Sequence, residues 1–101
     1  NFGPLNNSNK SVKELVEELR FHENSVNYII QEDKTKAEAK FLNLDISKAR
    51  NFLKWRPMLG FKETVKLTAE GYINDLSNKS PYQNRLKAID YFEKNLNNSE
   101  I

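Results

Sequence analysis

Residues 44–57 read Leu-Asp-Ile-Ser-Lys-Ala-Arg-Asn-Phe-Leu-Lys-Trp-Arg-Pro, and they carry the strongest structural signal in the chain. A strand-like run stops at Asp45. Either Asp45 or Ser47 is expected to cap a short helix, because both side chains accept hydrogen bonds from the free N–H groups at a helix start. Pro57 ends that helix, since its ring removes a donor and disfavours helical geometry in the preceding residue. The buried side of the helix is expected to consist of Ala49, Phe52 and Leu53.

The composition indicates one small domain. The chain has 101 residues, 38% of them hydrophobic and 30% charged, and a chain of this length buries roughly 60–65% of its unfolded surface. Its 16 basic and 14 acidic residues leave a formal net charge of +2, which argues against a nucleic-acid partner. With no cysteine and one histidine, we expect no disulfide and no metal site. No apolar run reaches the ~20 residues that span a membrane, and no signal peptide is recognisable. We therefore predict a cytoplasmic protein without a membrane partner.

Three further helices are predicted from periodicity and capping. Ser11 and Glu14 form a Ser-x-x-Glu capping box, which predicts a helix over 11–21. Its inner stripe is Val12, Leu15, Val16 and Leu19. A longer helix is predicted over 61–76, with an inner stripe of Phe61, Val65, Thr68, Tyr72 and Leu76. Pro81 suits the first turn of a last helix, which is marked by Tyr82, Leu86, Ile89, Phe92 and Leu96. Residues 97–101 are expected to be a disordered tail.

Strands are predicted at two or three places. Residues 25–31 are rich in β-branched and aromatic side chains, residues 40–44 form a second candidate, and residues 1–2 a possible third. The predicted fold class is therefore α+β and mostly helical, with about four helices and a small sheet of two or three strands.

Several motifs resemble the C-terminal part of nucleotide-sugar dehydratases and epimerases, the extended short-chain dehydrogenase/reductase group. Residues 45–57 are similar to the Asp-x-x-Lys-Ala…Leu-Gly-Trp-x-Pro segment of that group. CDP-glucose 4,6-dehydratases are resembled in particular, because residues 1–4 match their Asn-Phe-Gly-Pro strand end and Gln83, Ile89 and Tyr91 are similar to their final Gln-Ile…Tyr helix. Thr68 and Tyr72 also resemble their Thr-x-x-Trp-Tyr helix. Lys54 stands where the group usually has glycine, and Gly71 where it usually has tryptophan.

The resemblance implies that residues 1–96 are the C-terminal nucleotide-sugar-binding domain, or lobe, of a longer enzyme whose N-terminal Rossmann domain holds NAD. Such a parent is a lyase, a CDP-glucose 4,6-dehydratase: it oxidises C4 of the sugar, eliminates water across C5–C6 and returns the hydride to C6. Within this sequence there is no Gly-rich turn that would cradle a dinucleotide and no Tyr-x-x-x-Lys pair. We therefore expect no catalytic residue, no bound cofactor and no activity in this piece alone.

Substrate contacts are implied at three positions. Related dehydratases place a glutamate just before the second predicted strand, where a carboxylate accepts from ribose hydroxyls, and that position is Glu38. A solvated charge in a lysine-rich loop is an equally good interpretation of Glu38. Relatives often pair the diphosphate with an arginine at the position of Thr35, so Lys36, or Lys34, would take that role as a point charge rather than a planar fork. Asn1 lies at a predicted strand end, where open α/β sheets bind ligands.

Two pairs of residues within the main motif have two interpretations each. Lys48 and Arg50 suit phosphate binding, but cations on the outer face of a helix capped by Asp45 are favoured. Trp55 with Pro57 is able to stack on a base, but burial of the indole ring against a neighbouring helix is favoured.

The implied partners are a nucleotide sugar, CDP-glucose in particular, and the absent Rossmann domain. Apolar surface that would meet that domain also predicts self-association. The alternative function is a non-enzymatic helical protein-interaction module that presents residues such as Phe61, Tyr72 and Phe92, and it needs an exposed apolar patch larger than a few hundred Å². Binding of single-stranded nucleic acid by lysines and aromatic residues is disfavoured by the balanced charge.

Overall fold

Four helices make up the regular secondary structure of the described residues. A computed structural model describes residues 1–5, 10–31, 43–77 and 80–99. The helices are α1, Val12–His22; α2, Ser47–Leu53; α3, Phe61–Leu76; and α4, Pro81–Ser99. These described ranges contain helices, turns and irregular segments but no strand.

Helix α1 begins at the predicted capping box, which the structure confirms. The Ser11 hydroxyl accepts from the Glu14 N–H at 3.1 Å, and the Ser11 N–H donates to the Glu14 carboxylate at 2.7 Å. Two of the N–H groups that a helix start leaves unsatisfied are paired in this way. The same hydrogen bonds, the one from the Ser11 backbone first, hold the pKa of Glu14 below its usual value.

Helix α2 ends at Leu53, four residues before Pro57, because the backbone turns into the left-handed region at Lys54. Lys54 is in the left-handed region, with φ 56° and ψ 25°, and its N–H donates to the carbonyl of Ala49. The N–H of Trp55 donates to the same carbonyl at 3.2 Å. A left-handed residue after the last turn is a common way to satisfy the terminal carbonyls of a helix.

Helices α3 and α4 begin where the sequence predicts. Gly60 precedes α3 with an extended backbone, and Pro81 is the first residue of α4, where its missing N–H costs nothing. The Ser80 hydroxyl accepts from the Gln83 N–H at 3.3 Å. Helix α4 continues to Ser99, and residues 100–101 of the predicted tail lie outside the described ranges.

Helix α3 is the centre of the packing, since α1 and α4 both contact it. The buried hydrophobic side chains are small and few: Ile46, Ala49, Val65 and Ala69, each at most 7% exposed. No large side chain in the described ranges is completely buried. The hydrophobic stabilisation of the isolated chain is therefore modest for its length.

The predicted sheet, and with it the α+β class, is wrong for the residues that the structure describes. Residues 25–31 have no regular secondary structure, and Ile29 is 87% exposed. Strand propensity is realised only where a neighbouring strand completes the backbone hydrogen bonds and one face is buried. Residues 43–44 and 1–2 are also irregular, and residues 40–42 of the second predicted strand lie outside the described ranges.

The predicted inner stripe of α3 is correct only in its first half. Val65 is buried and Phe61 is half-buried, whereas Tyr72 and Leu76 are 67% and 86% exposed. Helical periodicity shows which residues share a face, but it does not show how far a neighbouring element extends along that face. The second half of the apolar stripe on α3 is accordingly left accessible.

The other predicted stripes need similar corrections. On α4, Asn84 is buried and Phe92 is half-buried, while Tyr82, Leu86 and Ile89 lie on the exposed side. On α2 only Ala49 of the three predicted residues is buried; Phe52 and Leu53 are exposed. On α1 the exposed members are Val12 and Leu15.

Candidate functional site

Two segments that are far apart in the sequence lie side by side in the structure. Residues 1–5 run along the segment that leads into α2, and a Cβ atom at Gly3 would lie 3.4 Å from the Cβ of Leu44. The ring of Phe2 meets the indole of Trp55 edge to face, with centroids 5.1 Å apart and planes at 88°. Edge-to-face pairs of this kind are favourable because the positive edge of one ring meets the negative face of the other.

An apolar groove of about 360 Å³ opens beside this ring pair, and we call it the aromatic groove. Its volume lies within the range of about 300–1,000 Å³ that is typical of small-ligand sites. The lining residues come from the start of the chain, the segment after α2, and helices α3 and α4: Phe2, Gly3, Pro4, Trp55, Pro57, Met58, Leu59, Phe61, Thr64 and Phe92.

The lining of the aromatic groove determines its chemistry. None of its lining side chains titrates, and its one hydroxyl, on Thr64, donates to the Gly60 carbonyl at 2.8 Å. An aromatic or aliphatic group is therefore a suitable occupant, since burial of its apolar surface supplies the binding energy. The groove offers no acid or base for catalysis.

A second cleft of about 330 Å³ lies between α3 and α4, and its walls include Gly71, Tyr72 and Arg85. The Arg85 guanidinium lies against α3 at Gly71. A Cβ atom added at Gly71 would lie 3.0 Å from the Arg85 Nη1. Of residues 68–72, Thr68, Gly71 and Tyr72 line this cleft. The tryptophan that the resembled group usually has at position 71 would meet the guanidinium.

Asp75 joins α3 to α4 through two hydrogen bonds. The Asn84 amide donates to its Oδ1 at 2.8 Å, and the Arg85 guanidinium donates to its Oδ2 at 2.5 Å. The bond from Asn84, with a further contribution from Arg85, holds the pKa of Asp75 below its usual value. This pairing also satisfies the side chain of Asn84, which is buried and would otherwise be costly to desolvate.

The start of α2 is held by Asp45. Its Oδ1 accepts from the Ser47 N–H at 2.9 Å and from the Ser47 hydroxyl at 2.5 Å, and these bonds lower the pKa of Asp45. The N-cap residue of α2 is Ile46, without a side-chain cap, so neither Asp45 nor Ser47 is the N-cap, although Asp45 binds the first helical N–H. Lys48 and Arg50 are exposed on α2, as expected for outer-face cations.

The predicted substrate residues are not brought together in the described part of the chain. Asn1 is exposed, at the start of the segment whose next residue, Phe2, lines the aromatic groove. Glu38 and Lys36 lie outside the described residues, as do Lys34 and Thr35. These assignments stay predictions.

Sequence reasoning missed most of the aromatic groove. It singled out Trp55 and Pro57, and Trp55 is half-buried against Phe2. It gave no role to Met58, and it placed Phe92 in a helix stripe and in the interaction-module alternative but not beside Trp55. The partners of Trp55 are tens of residues away in the chain, and no local pattern signals such a contact.

Comparisons of this chain with protein-family models, with curated proteins and with solved structures give no match. Across the described ranges, no helix has both the length and the apolar character needed to cross a bilayer. Within the same ranges, no three His, Cys, Asp or Glu side chains are grouped so that they could hold a metal ion.

Proposed function

We propose that this chain is the substrate-binding lobe of a cytoplasmic, NAD-dependent nucleotide-sugar 4,6-dehydratase that acts on CDP-glucose. In this proposal a Rossmann domain of the same enzyme holds NAD and carries out the oxidation, elimination and hydride return. The lobe contacts the nucleotide sugar through Glu38, Asn1 and Lys36. The chain itself supplies no catalytic group.

The backbone at Lys54 is the observation that carries the proposal. Lys54 is the one non-glycine residue with a positive φ in the described ranges. In the Leu-Gly-Trp-x-Pro motif of the resembled group this position is glycine, the residue that adopts the left-handed conformation without a steric penalty. Lys54 thus has the left-handed backbone conformation that suits the glycine of this motif, although its side chain is that of lysine. This agreement supports the assignment of residues 45–57 to that motif.

Incomplete burial gives the proposal a second support. Large apolar side chains among the described residues lie exposed, such as Leu76 at 86% and Phe52 at 78%. A lobe that another domain completes is expected to leave surface of this kind accessible.

An NMR titration of the chain with CDP-glucose tests the proposal. We expect shifts of the side-chain amide signal of Asn1 and of the backbone amide signals of residues around Glu38, and weaker shifts with UDP-glucose. Glu38→Gln should reduce the affinity, whereas Glu70→Gln, which alters an exposed carboxylate on α3, should not. Unchanged signals at these positions at about 10 mM ligand, where even millimolar affinity saturates the site, would count against the assignment.

The upstream coding sequence provides a test that does not depend on affinity. The proposal requires a Gly-rich turn after a first strand and a Tyr-x-x-x-Lys pair in the same reading frame ahead of Asn1. A reading frame without them would overturn the proposal.

A non-enzymatic helical interaction module is a second candidate function. The observation that favours it is the accessible apolar half of α3, which ends in Tyr72 and Leu76. This function predicts that CDP-glucose leaves the spectrum unchanged while a protein ligand shifts the signals of this half-helix. Shifts near Glu38 with CDP-glucose would instead exclude it as the primary function.

A further inference from the structure

The outer face of α4 carries a regular stripe that stays accessible. The stripe consists of Tyr82, Leu86, Ile89 and Glu93. The three apolar members are 68%, 41% and 53% exposed, and the spacing of 4, 3 and 4 residues is that of a coiled-coil seam. The opposite face of α4 is the one that packs on α3, since it contains the buried Asn84. Helix α4 therefore presents two packing faces, and the molecule uses one of them.

The stripe is complementary to itself in an antiparallel arrangement. If Leu86 of one copy lies opposite Ile89 of a second copy, the same register places Tyr82 opposite Glu93. Both pairs share one centre, midway between Lys87 and Ala88. A two-fold axis at that point repeats each contact, as an isologous interface requires.

The polar ends of the stripe match in chemistry as well as in position. The Tyr82 hydroxyl is a donor and the Glu93 carboxylate is an acceptor. The fold already uses this pairing between elements, because the Tyr91 hydroxyl donates to the Glu63 carboxylate at 2.7 Å. In a hydrogen bond of this kind the acceptor is charged, so the bond is stronger than one between neutral groups.

We infer that a second copy of this chain covers the stripe and forms a two-fold, antiparallel α4–α4 dimer. The inference does not rest on the proposed function, because none of the stripe residues is assigned to the nucleotide sugar. Four side chains from each copy bury less accessible surface than a stable interface of standard size, which buries at least about 1,200 Å². The dimer is therefore weak, with a Kd on the order of 100 µM.

Sedimentation equilibrium of the whole chain up to about 1 mM tests the dimer. We expect a monomer–dimer equilibrium, and Leu86→Glu should raise the Kd at least about tenfold. The matched control is Leu76→Glu, which alters an exposed leucine on α3 and should leave the Kd unchanged. Tyr82→Phe removes the two hydrogen bonds between Tyr82 and Glu93 from each dimer and should raise the Kd about tenfold or more, and far-UV circular dichroism checks that each variant keeps its helices.

Cysteine pairing then tests the register, since the natural chain has no cysteine. A mixture of Leu86→Cys and Ile89→Cys chains should form disulfides faster than Leu86→Cys alone, because a disulfide needs Cα atoms within about 7 Å. Three results would overturn the inference: a wild-type chain that stays monomeric at about 1 mM, equal effects of Leu86→Glu and Leu76→Glu, or faster pairing of Leu86→Cys with itself.

Discussion

Replacement of Lys54 by glycine should stabilise the protein. Lys54 has a left-handed backbone, in which the Cβ atom of an L-residue comes too close to the following carbonyl oxygen. Its side chain is exposed. The N–H group that donates to Ala49 belongs to the backbone and remains in the variant. The substitution therefore removes a steric penalty without removing the helix C-cap.

The size of the effect follows from two opposing contributions. Relief of the left-handed penalty favours the variant by about 1–2 kcal/mol. Glycine also makes the unfolded chain more flexible, which opposes folding by about 0.5–1 kcal/mol. The expected net gain in the free energy of unfolding is about 0–1.5 kcal/mol, and its midpoint of about 0.75 kcal/mol raises Tm by about 3–6 °C in a domain of this size.

Urea unfolding followed by far-UV circular dichroism measures this gain. Lys48→Gly is the matched control, because it places glycine inside the same helix, and it should lower the free energy of unfolding by about 0.5–1 kcal/mol. If Lys54→Gly destabilises the protein as Lys48→Gly does, then the left-handed backbone at this position is incorrect, and the link to the glycine motif is lost with it.

Three further outcomes are expected. Ser11→Ala should lower the free energy of unfolding by about 1 kcal/mol because the capping hydroxyl of α1 is lost. Glu14→Ala should then cost much less stability in the Ser11→Ala background than in the wild type, and this difference would confirm that the two residues act together. Gly71→Ala should raise the free energy of unfolding by about 1 kcal/mol, because alanine has the higher helix propensity, but only in a chain in which Arg85→Ala has removed the guanidinium beside Gly71. An equal gain with and without Arg85, measured by urea unfolding, would contradict the close approach of Arg85 to Gly71. The pKa of Asp75 is lower in the folded than in the unfolded protein. Its contribution to stability is therefore present above the unfolded pKa of about 3.9 and disappears as the pH falls through the folded pKa. Urea midpoints measured between pH 6 and pH 2 should fall less steeply for Asp75→Asn than for the wild type.

The helices could be predicted because their signals are local. The Ser11–Glu14 capping box and Pro81 at a first turn each fix a helix start with residues that are close in the sequence. The predicted sheet failed because residues 25–31 supply strand propensity but find no partner among the described residues, and pairing is a long-range property.

The candidate site could be predicted only in part, because some of its residues belong to a local motif and others are brought in by long-range packing. Trp55 and Pro57 belong to a recognisable local motif, and both line the aromatic groove. Phe2 and Phe92 complete that groove from opposite ends of the chain, and their positions depend on how α3 and α4 pack. The exposure of Tyr72 and Leu76 likewise depends on the neighbouring elements, which periodicity alone does not specify.

The contact between Phe2 and Trp55 also gives the protein a built-in optical reporter. The chain has one tryptophan, and its half-buried indole forms part of the wall of the aromatic groove. A molecule that enters the groove, or a movement of the first residues away from the indole, changes the polarity around the sole tryptophan fluorophore. Its emission maximum therefore follows events at this one place without any added label.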